Sequence, residues 1–171
     1  MTCAQLSKAL GTWVDVMFGM DILRDLHVRI NPVHGLVQFS RQAFRSSGVR
    51  LPLLVGNVPP LVQLKIGQQS VSMRLVSALK YNYVPEAIAV GQSEVNMVSD
   101  RLPVGLEFQT RLYQLPISLG TRVLPLNCGV APDALRGSLG LGADEGVLGA
   151  DMLQSLPITL AFPEGEMIVF L

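Results

Sequence analysis

Hydrophobic and polar residues alternate through much of the middle of the chain, a pattern typical of strands that bury one face. Residues 61–66 alternate, residues 67–69 form a glycine-containing turn, and residues 71–76 alternate again, so the pattern predicts a β-hairpin. Further short strands are predicted at 106–108, 113–119 and 122–126. The pattern predicts an all-β domain.

Two segments share a second pattern at an offset of 130 residues: residues 18–30 align without gaps with residues 148–160. Each segment predicts a strand that ends at a glycine, then a short helix, then a hairpin. The aspartate can accept hydrogen bonds from the free N–H groups of the first helical turn. We interpret the segments as an internal repeat. Its shared residues include Gly19, Asp21 and Leu23 in the first copy and Gly149, Asp151 and Leu153 in the second, and Leu26 matches Leu156.

The repeat and the turn-forming residues together predict the domain organisation. Residues 1–45 form an N-terminal element, residues 46–59 are rich in glycine, serine and proline and are predicted to be a linker, and residues 60–171 form a complete domain.

Charge is scarce in this chain. Of its 171 residues 49% are hydrophobic and 15% are charged, whereas about 25% charged residues are usual in soluble domains. The 13 basic and 13 acidic side chains balance, so no net field attracts nucleic acid, and we expect no nucleic-acid partner. The low charge suggests that a protein partner covers part of the surface.

Targeting and cofactor signals are also absent from the sequence. Charged residues interrupt the most apolar stretch, so we predict no membrane span, which leaves association with a membrane-bound complex open. No signal peptide is visible, but a targeting segment that had been removed would leave no trace, so the compartment is unknown. Cys3 and Cys128 have no metal-ligand spacing, and we expect neither a metal nor a cofactor.

The order of the elements resembles the retropepsin-like aspartic proteases, the family of retroviral and retrotransposon proteases. The hairpin at 60–76 and the closing element at 147–153 carry the resemblance, which covers about residues 60–171. It implies a closed β-barrel with one or two short helices, preceded here by the extra strand, helix and hairpin of the N-terminal element.

The catalytic loop of that family is lost. Ser77, Ala78 and Leu79 stand where the family has aspartate, threonine or serine, and glycine. Family catalysis uses two aspartates that share a proton, and a serine hydroxyl cannot replace either of them near neutral pH. We therefore expect a pseudoprotease without catalytic residues, acting as a structural or protein-interaction subunit in a larger assembly.

Several alternatives stay open. The N-terminal element is either the tail of a preceding lobe or an added element that packs on the complete domain. The partner is either another protein subunit or a second retropepsin-like lobe. The alternative function is an aspartic endopeptidase that relies on a catalytic lobe from another chain or from a missing upstream segment; a ligand-binding β module is a further reading.

Other chemistry finds little support. His27 and His34 are predicted to be surface or turn residues rather than metal ligands, and Ser77 lacks the glycine-flanked elbow of a serine nucleophile. Four scattered acids have no clear pairing and are predicted to lie on a solvated face: Glu86, Glu94, Asp100 and Glu107.

Overall fold

A computed structural model describes residues 2–45, 47–56, 59–101, 105 and 107–171. Within these residues the chain is mostly β, as predicted. The strands are β1 (His27–Asn31), β2 (Leu36–Ser40), β3 (Val49–Leu54), β4 (Leu61–Ile66), β5 (Gln69–Leu75), β6 (Asn82–Val84), β7 (Glu94–Arg101), β8 (Glu107–Leu119), β9 (Arg122–Val130), β10 (Glu145–Leu148), β11 (Ile158–Ala161) and β12 (Glu166–Val169).

The described part of residues 60–171 contains three short helices, where one or two were predicted, and the N-terminal element contains two, where one was predicted. They are α1 (Cys3–Leu10), α2 (Met20–Leu23), α3 (Glu86–Ala89), α4 (Asp133–Leu139) and α5 (Ala150–Ser155), with a single 3₁₀ turn at Pro32–His34. None of the helices in the described ranges has the length and apolar character that a membrane crossing needs.

Six strands close into a barrel, so the closed β-barrel is confirmed. Their order is β4, β5, β10, β6, β9 and β8, and β8 pairs back with β4 at Ile66 and Ile117. The hairpin predicted at 61–76 is β4 and β5. In β4 the side chains of Val62, Leu64 and Ile66 point into the core, which explains the alternation in the sequence. Burial of each such side chain contributes about 1.5–3 kcal/mol.

A second group of strands extends from the barrel in the order β3, β12, β11, β1 and β2. The hairpins β1–β2 and β11–β12 follow the glycine and the short helix of each repeat copy, as predicted, and β10 is the strand predicted before Gly149. The prediction of a strand that ends at Gly19 is wrong, because residues 13–18 are mostly exposed and pair with no described strand. They meet in an antiparallel pair whose register places Arg29 opposite Thr159, two residues that are 130 positions apart.

Strand β3 lies within the segment that was predicted to be a linker. It pairs with β12 through Leu51 and Met167 and with β4 through Leu53 and Val62. The segment therefore joins the two groups of strands through backbone hydrogen bonds. The strand predicted at 106–108 begins at Leu106, which lies outside the described residues; the rest of that segment belongs to β8.

Candidate functional site

The loop between β5 and β6 contains Ser77, Ala78 and Leu79, the three residues at which the resemblance predicted a degenerate catalytic triplet. Ser77 and Ala78 are exposed, whereas Leu79 is fully buried and packs with Tyr83, Leu135 and Val147. Among the described residues only glycines have a positive φ. Leu79 thus anchors the loop in the core with an ordinary backbone conformation.

Backbone N–H groups at the start of α5 hold this loop in place. Ala150 N donates to Leu79 O at 2.8 Å and Asp151 N donates to Lys80 O at 2.9 Å. Gly149 N donates to the Asn82 side-chain oxygen at 3.0 Å. A Cβ atom at Gly149 would lie 2.1 Å from the carbonyl oxygen of Tyr81, so only glycine permits this close approach.

The carboxylate of Asp100, on β7, holds the same loop in place by accepting hydrogen bonds. Its Oδ2 accepts hydrogen bonds from the Tyr83 hydroxyl at 2.6 Å, from Lys80 N at 3.2 Å and from Tyr81 N at 3.3 Å. Asp100 is 9% exposed, so the prediction that it lies on a solvated face is wrong. Its sequence neighbours gave no signal, because its donors come from a segment about 20 residues earlier in the chain.

Burial and this carboxylate act together on the tyrosine. Burial, followed by the hydrogen bond to Asp100 and the repulsion from that negative charge, raises the pKa of Tyr83 far above its ordinary value. Tyr83 therefore stays a neutral donor, and its ring packs edge-on against Phe108 with the centroids 5.6 Å apart. Through Tyr83, the hydrogen bond to Asp100 and the ring contact with Phe108 connect β7 and β8 to β6, the strand that follows the loop.

An open cavity of about 940 Å³ lies between the loop and the β7–β8 hairpin. Polar, charged and aromatic side chains line it, among them Ser77, Lys80, Asp100, Arg101, Glu107 and Phe108. Two carboxylates thus border the cavity. One is bonded to the loop, and the other, Glu107, is exposed. The acids of the described lining residues form no hydrogen-bonded pair of the kind that activates water.

The six residues of the proposed repeat occupy two similar but unequal settings. Gly19 caps α2 and Gly149 caps α5, each with an extended backbone. Met152 and Leu153 of α5 are buried, whereas α2 has no buried residue. Asp21 is exposed and Asp151 is partly buried, and Leu23 packs against the core at its margin. The structure does not bring the two glycine-aspartate segments to one site.

The two histidines also differ from each other. His34 is exposed, as predicted, but His27 is 3% exposed, so the prediction of a surface position is wrong for it. The His27 Nε2 lies 2.7 Å from the Glu164 carboxylate, and Phe44 packs edge-on against the ring. This contact fastens β1 to the turn between β11 and β12.

The remaining candidate chemistry is metal binding and the two cysteine thiols. No group of three His, Cys, Asp or Glu side chains within the described ranges is arranged to hold a metal ion. Cys3 and Cys128 are free thiols. Burial, with a smaller contribution from Asp151, raises the pKa of the Cys128 thiol well above its usual range, which keeps this thiol protonated and unreactive.

No protein-family model matches the chain, and no curated protein matches it. The resemblance to retropepsin-like proteases therefore rests on the residues and on the order of the elements.

Proposed function

We propose that this chain is a non-catalytic retropepsin-like domain that acts as a protein-interaction subunit. The observation that carries the proposal is the loop at the cavity: Ser77 and Ala78 face outwards at the position where the resemblance requires an aspartate and a threonine. Neither side chain can take a proton from water at neutral pH.

The carboxylate that comes nearest to the loop supports this proposal. Asp100 accepts three hydrogen bonds from the loop and from Tyr83. A general base must instead be free to accept a proton from water within hydrogen-bond reach. The hydrogen bonds to Asp100 stabilise the loop as a structural wall of the cavity.

The cavity supplies the interaction surface. Lys80, Arg101 and Glu107 offer charges of both signs at its border, and Phe108 offers an apolar contact. A mixed lining of this kind fits a segment of a partner protein that carries both apolar and charged side chains. The low overall charge of the chain is consistent with a surface that is covered in an assembly.

Peptidase activity tests the non-catalytic part of the proposal. We expect the purified chain to cleave no peptide in a mixed-sequence fluorogenic library, from acid to neutral pH. Pepstatin-sensitive cleavage by the chain alone would contradict the proposal and would favour the alternative, an aspartic endopeptidase.

Blocking the cavity tests the interaction part. Ala78→Trp places a large ring at the border of the cavity, whereas Ala87→Trp places the same ring at an exposed position of α3 outside it. Proteins that co-purify with the chain from its natural source are identified by mass spectrometry. We expect a stable partner that A78W loses and A87W keeps; equal retention by both variants, or no partner at all, contradicts a role for the cavity.

A further inference from the structure

The two ends of the strand order are built differently. β7 ends one side and carries Glu94, Asp100 and Arg101, with a shift of register between Glu94 and Asn96. Charges and bulges of this kind protect natural edge strands against pairing with another chain. β2 ends the other side as Leu-Val-Gln-Phe-Ser, with no charge and no proline, and its register with β1 is unbroken. It is an unprotected edge.

An apolar surface accompanies this edge. Val37 and Phe39 are 52% and 50% exposed, and they lie opposite Ile30 and Val28 of β1. Cross-strand partners share a face of the sheet, and Val28 belongs to the hydrophobic core. The apolar face of the sheet thus extends from β1, where Val28 is buried, to β2, where the apolar side chains are exposed.

The segment before α2 enlarges this surface. Phe18 is 54% exposed, and its ring lies 5.7 Å from that of Phe39. Trp13, Val16 and Met17 precede it and are exposed as well. Together with β2 these side chains expose on the order of 800 Å² of mostly apolar surface, about what each partner contributes to a standard interface.

We infer that β2 is a self-association edge at which two copies of this chain pair antiparallel around a twofold axis. The sequence of β2 is complementary to itself in this arrangement. With the axis at Gln38, Val37 of one copy lies opposite Phe39 of the other on the apolar face, and Leu36 lies opposite Ser40. Each chain has a net charge of zero, so no overall repulsion opposes the pairing. The inference goes beyond the proposed function, because the cavity takes no part in it.

The oligomeric state of the full chain tests this inference. We expect sedimentation equilibrium to show a monomer–dimer equilibrium. We expect Val37→Glu to weaken dimerisation at least about tenfold, because the variant places two carboxylates, one from each copy, in the apolar contact. Val123→Glu is the matched control, because Val123 is 63% exposed on barrel strand β9. We expect it to leave dimerisation unchanged. Circular dichroism is used to check that both variants are folded.

A charge exchange at Gln38 tests the position of the axis. Gln38→Lys and Gln38→Glu each place like charges opposite one another, and each variant alone should dimerise more weakly than the wild type. An equimolar mixture should restore dimerisation, because lysine then faces glutamate across the axis. Failure of the mixture to recover contradicts this pairing.

Two results would overturn the inference as a whole: a wild-type chain that remains monomeric at about 100 μM, well above the dissociation constants of standard interfaces, or a Val37→Glu variant that dimerises as well as Val123→Glu. A monomeric chain whose partner is lost in A78W would overturn the inference about β2 and leave the proposed function standing. A dimer without a cavity-bound partner would do the reverse.

Discussion

Asp100 shows how a single side chain organises the cavity. It stands on β7, yet its carboxylate is bonded to two backbone N–H groups of the loop and to a buried tyrosine. A buried acceptor of this kind stabilises the fold because its removal leaves several donors without partners, and each orphaned donor costs about 1–3 kcal/mol. The hydrogen bonds of Asp100 therefore give it a structural role at the border of the cavity.

Replacing Asp100 measures this contribution. We expect Asp100→Ala to lower the free energy of unfolding by about 3 kcal/mol, because the Tyr83 hydroxyl and two N–H groups lose their acceptor. Glu107→Ala removes an exposed acid from the border of the same cavity, and we expect a change within about 0.5 kcal/mol. Urea unfolding provides both values, and equal losses would contradict the structural role of Asp100.

The raised pKa values of Tyr83 and Cys128 predict a loss of stability at alkaline pH. In the unfolded chain both groups lose their protons near their ordinary pKa values, whereas in the folded chain they keep them. Because the unfolded state then binds fewer protons, the free energy of unfolding falls as pH rises, by up to about 1.4 kcal/mol per pH unit for each group.

Chemical denaturation between neutral pH and about pH 11 checks this dependence. Cys128→Ala should remove the part of the slope that begins near the ordinary thiol pKa, and Tyr83→Phe the part that begins near that of tyrosine. A wild-type stability that does not fall above the ordinary pKa values of these groups would show that they ionise within the folded protein.

At the scale of elements, two similar segments have different neighbours. Gly149 is the N-cap of α5 and lies against the loop. A Cβ atom there would lie 2.1 Å from the Tyr81 carbonyl oxygen. Gly19 begins α2, where a Cβ atom would meet only the Asp21 side chain, at 2.6 Å, and that side chain is exposed and can rotate away. Glycine is therefore required at position 149, whereas position 19 can accept a small side chain.

Alanine at each glycine separates the two settings. Both residues cap a helix with φ near −90°, so the cost of changing the cap is shared and the difference reports on steric contact. We expect Gly149→Ala to lower the free energy of unfolding by about 3 kcal/mol or more and Gly19→Ala by about 1 kcal/mol or less. Thermal unfolding monitored by circular dichroism measures both stability losses, and similar losses would contradict the close contact between Gly149 and Tyr81.

At the scale of the whole molecule, β3 connects the barrel to the sheet that carries the N-terminal hairpin. It pairs with β4 on one side and with β12 on the other, and β11 pairs with β1. The Val28 side chain of β1 belongs to the same hydrophobic core as Val62 and Leu64 of β4. The division at residues 46–59 therefore remains a prediction about the sequence, which cooperativity can test.

Hydrogen exchange decides whether residues 1–45 unfold separately. Because the described strands share one core and a continuous chain of pairings, we expect the protected amides of β1 and β4 to exchange with the same opening free energy, and denaturant to produce one cooperative transition. If β1 opens at a much lower free energy than β4, the N-terminal element is an independent unit, as the sequence division suggests.

Local patterns in the sequence determined much of the fold. The alternation at 61–76 placed the first barrel hairpin, and the glycine, helix and hairpin pattern placed β1–β2 and β11–β12, because burial on one face and turn chemistry act over a few residues. Three strands had no such signal. β3 lies in a segment rich in glycine, serine and proline, β6 is three residues long, and β7 is exposed along most of its length.

The candidate site divides in the same way. The sequence by itself determined that Ser77, Ala78 and Leu79 follow β5 and contain no acid, since this depends only on which residues stand there. Only the tertiary structure decided what surrounds them. The hydrogen bonds of Asp100 to the loop, the pairing of His27 with Glu164 and the exposed edge of β2 all join or separate segments far apart in the chain, and contacts of that kind depend on strand order and register, which local patterns do not specify.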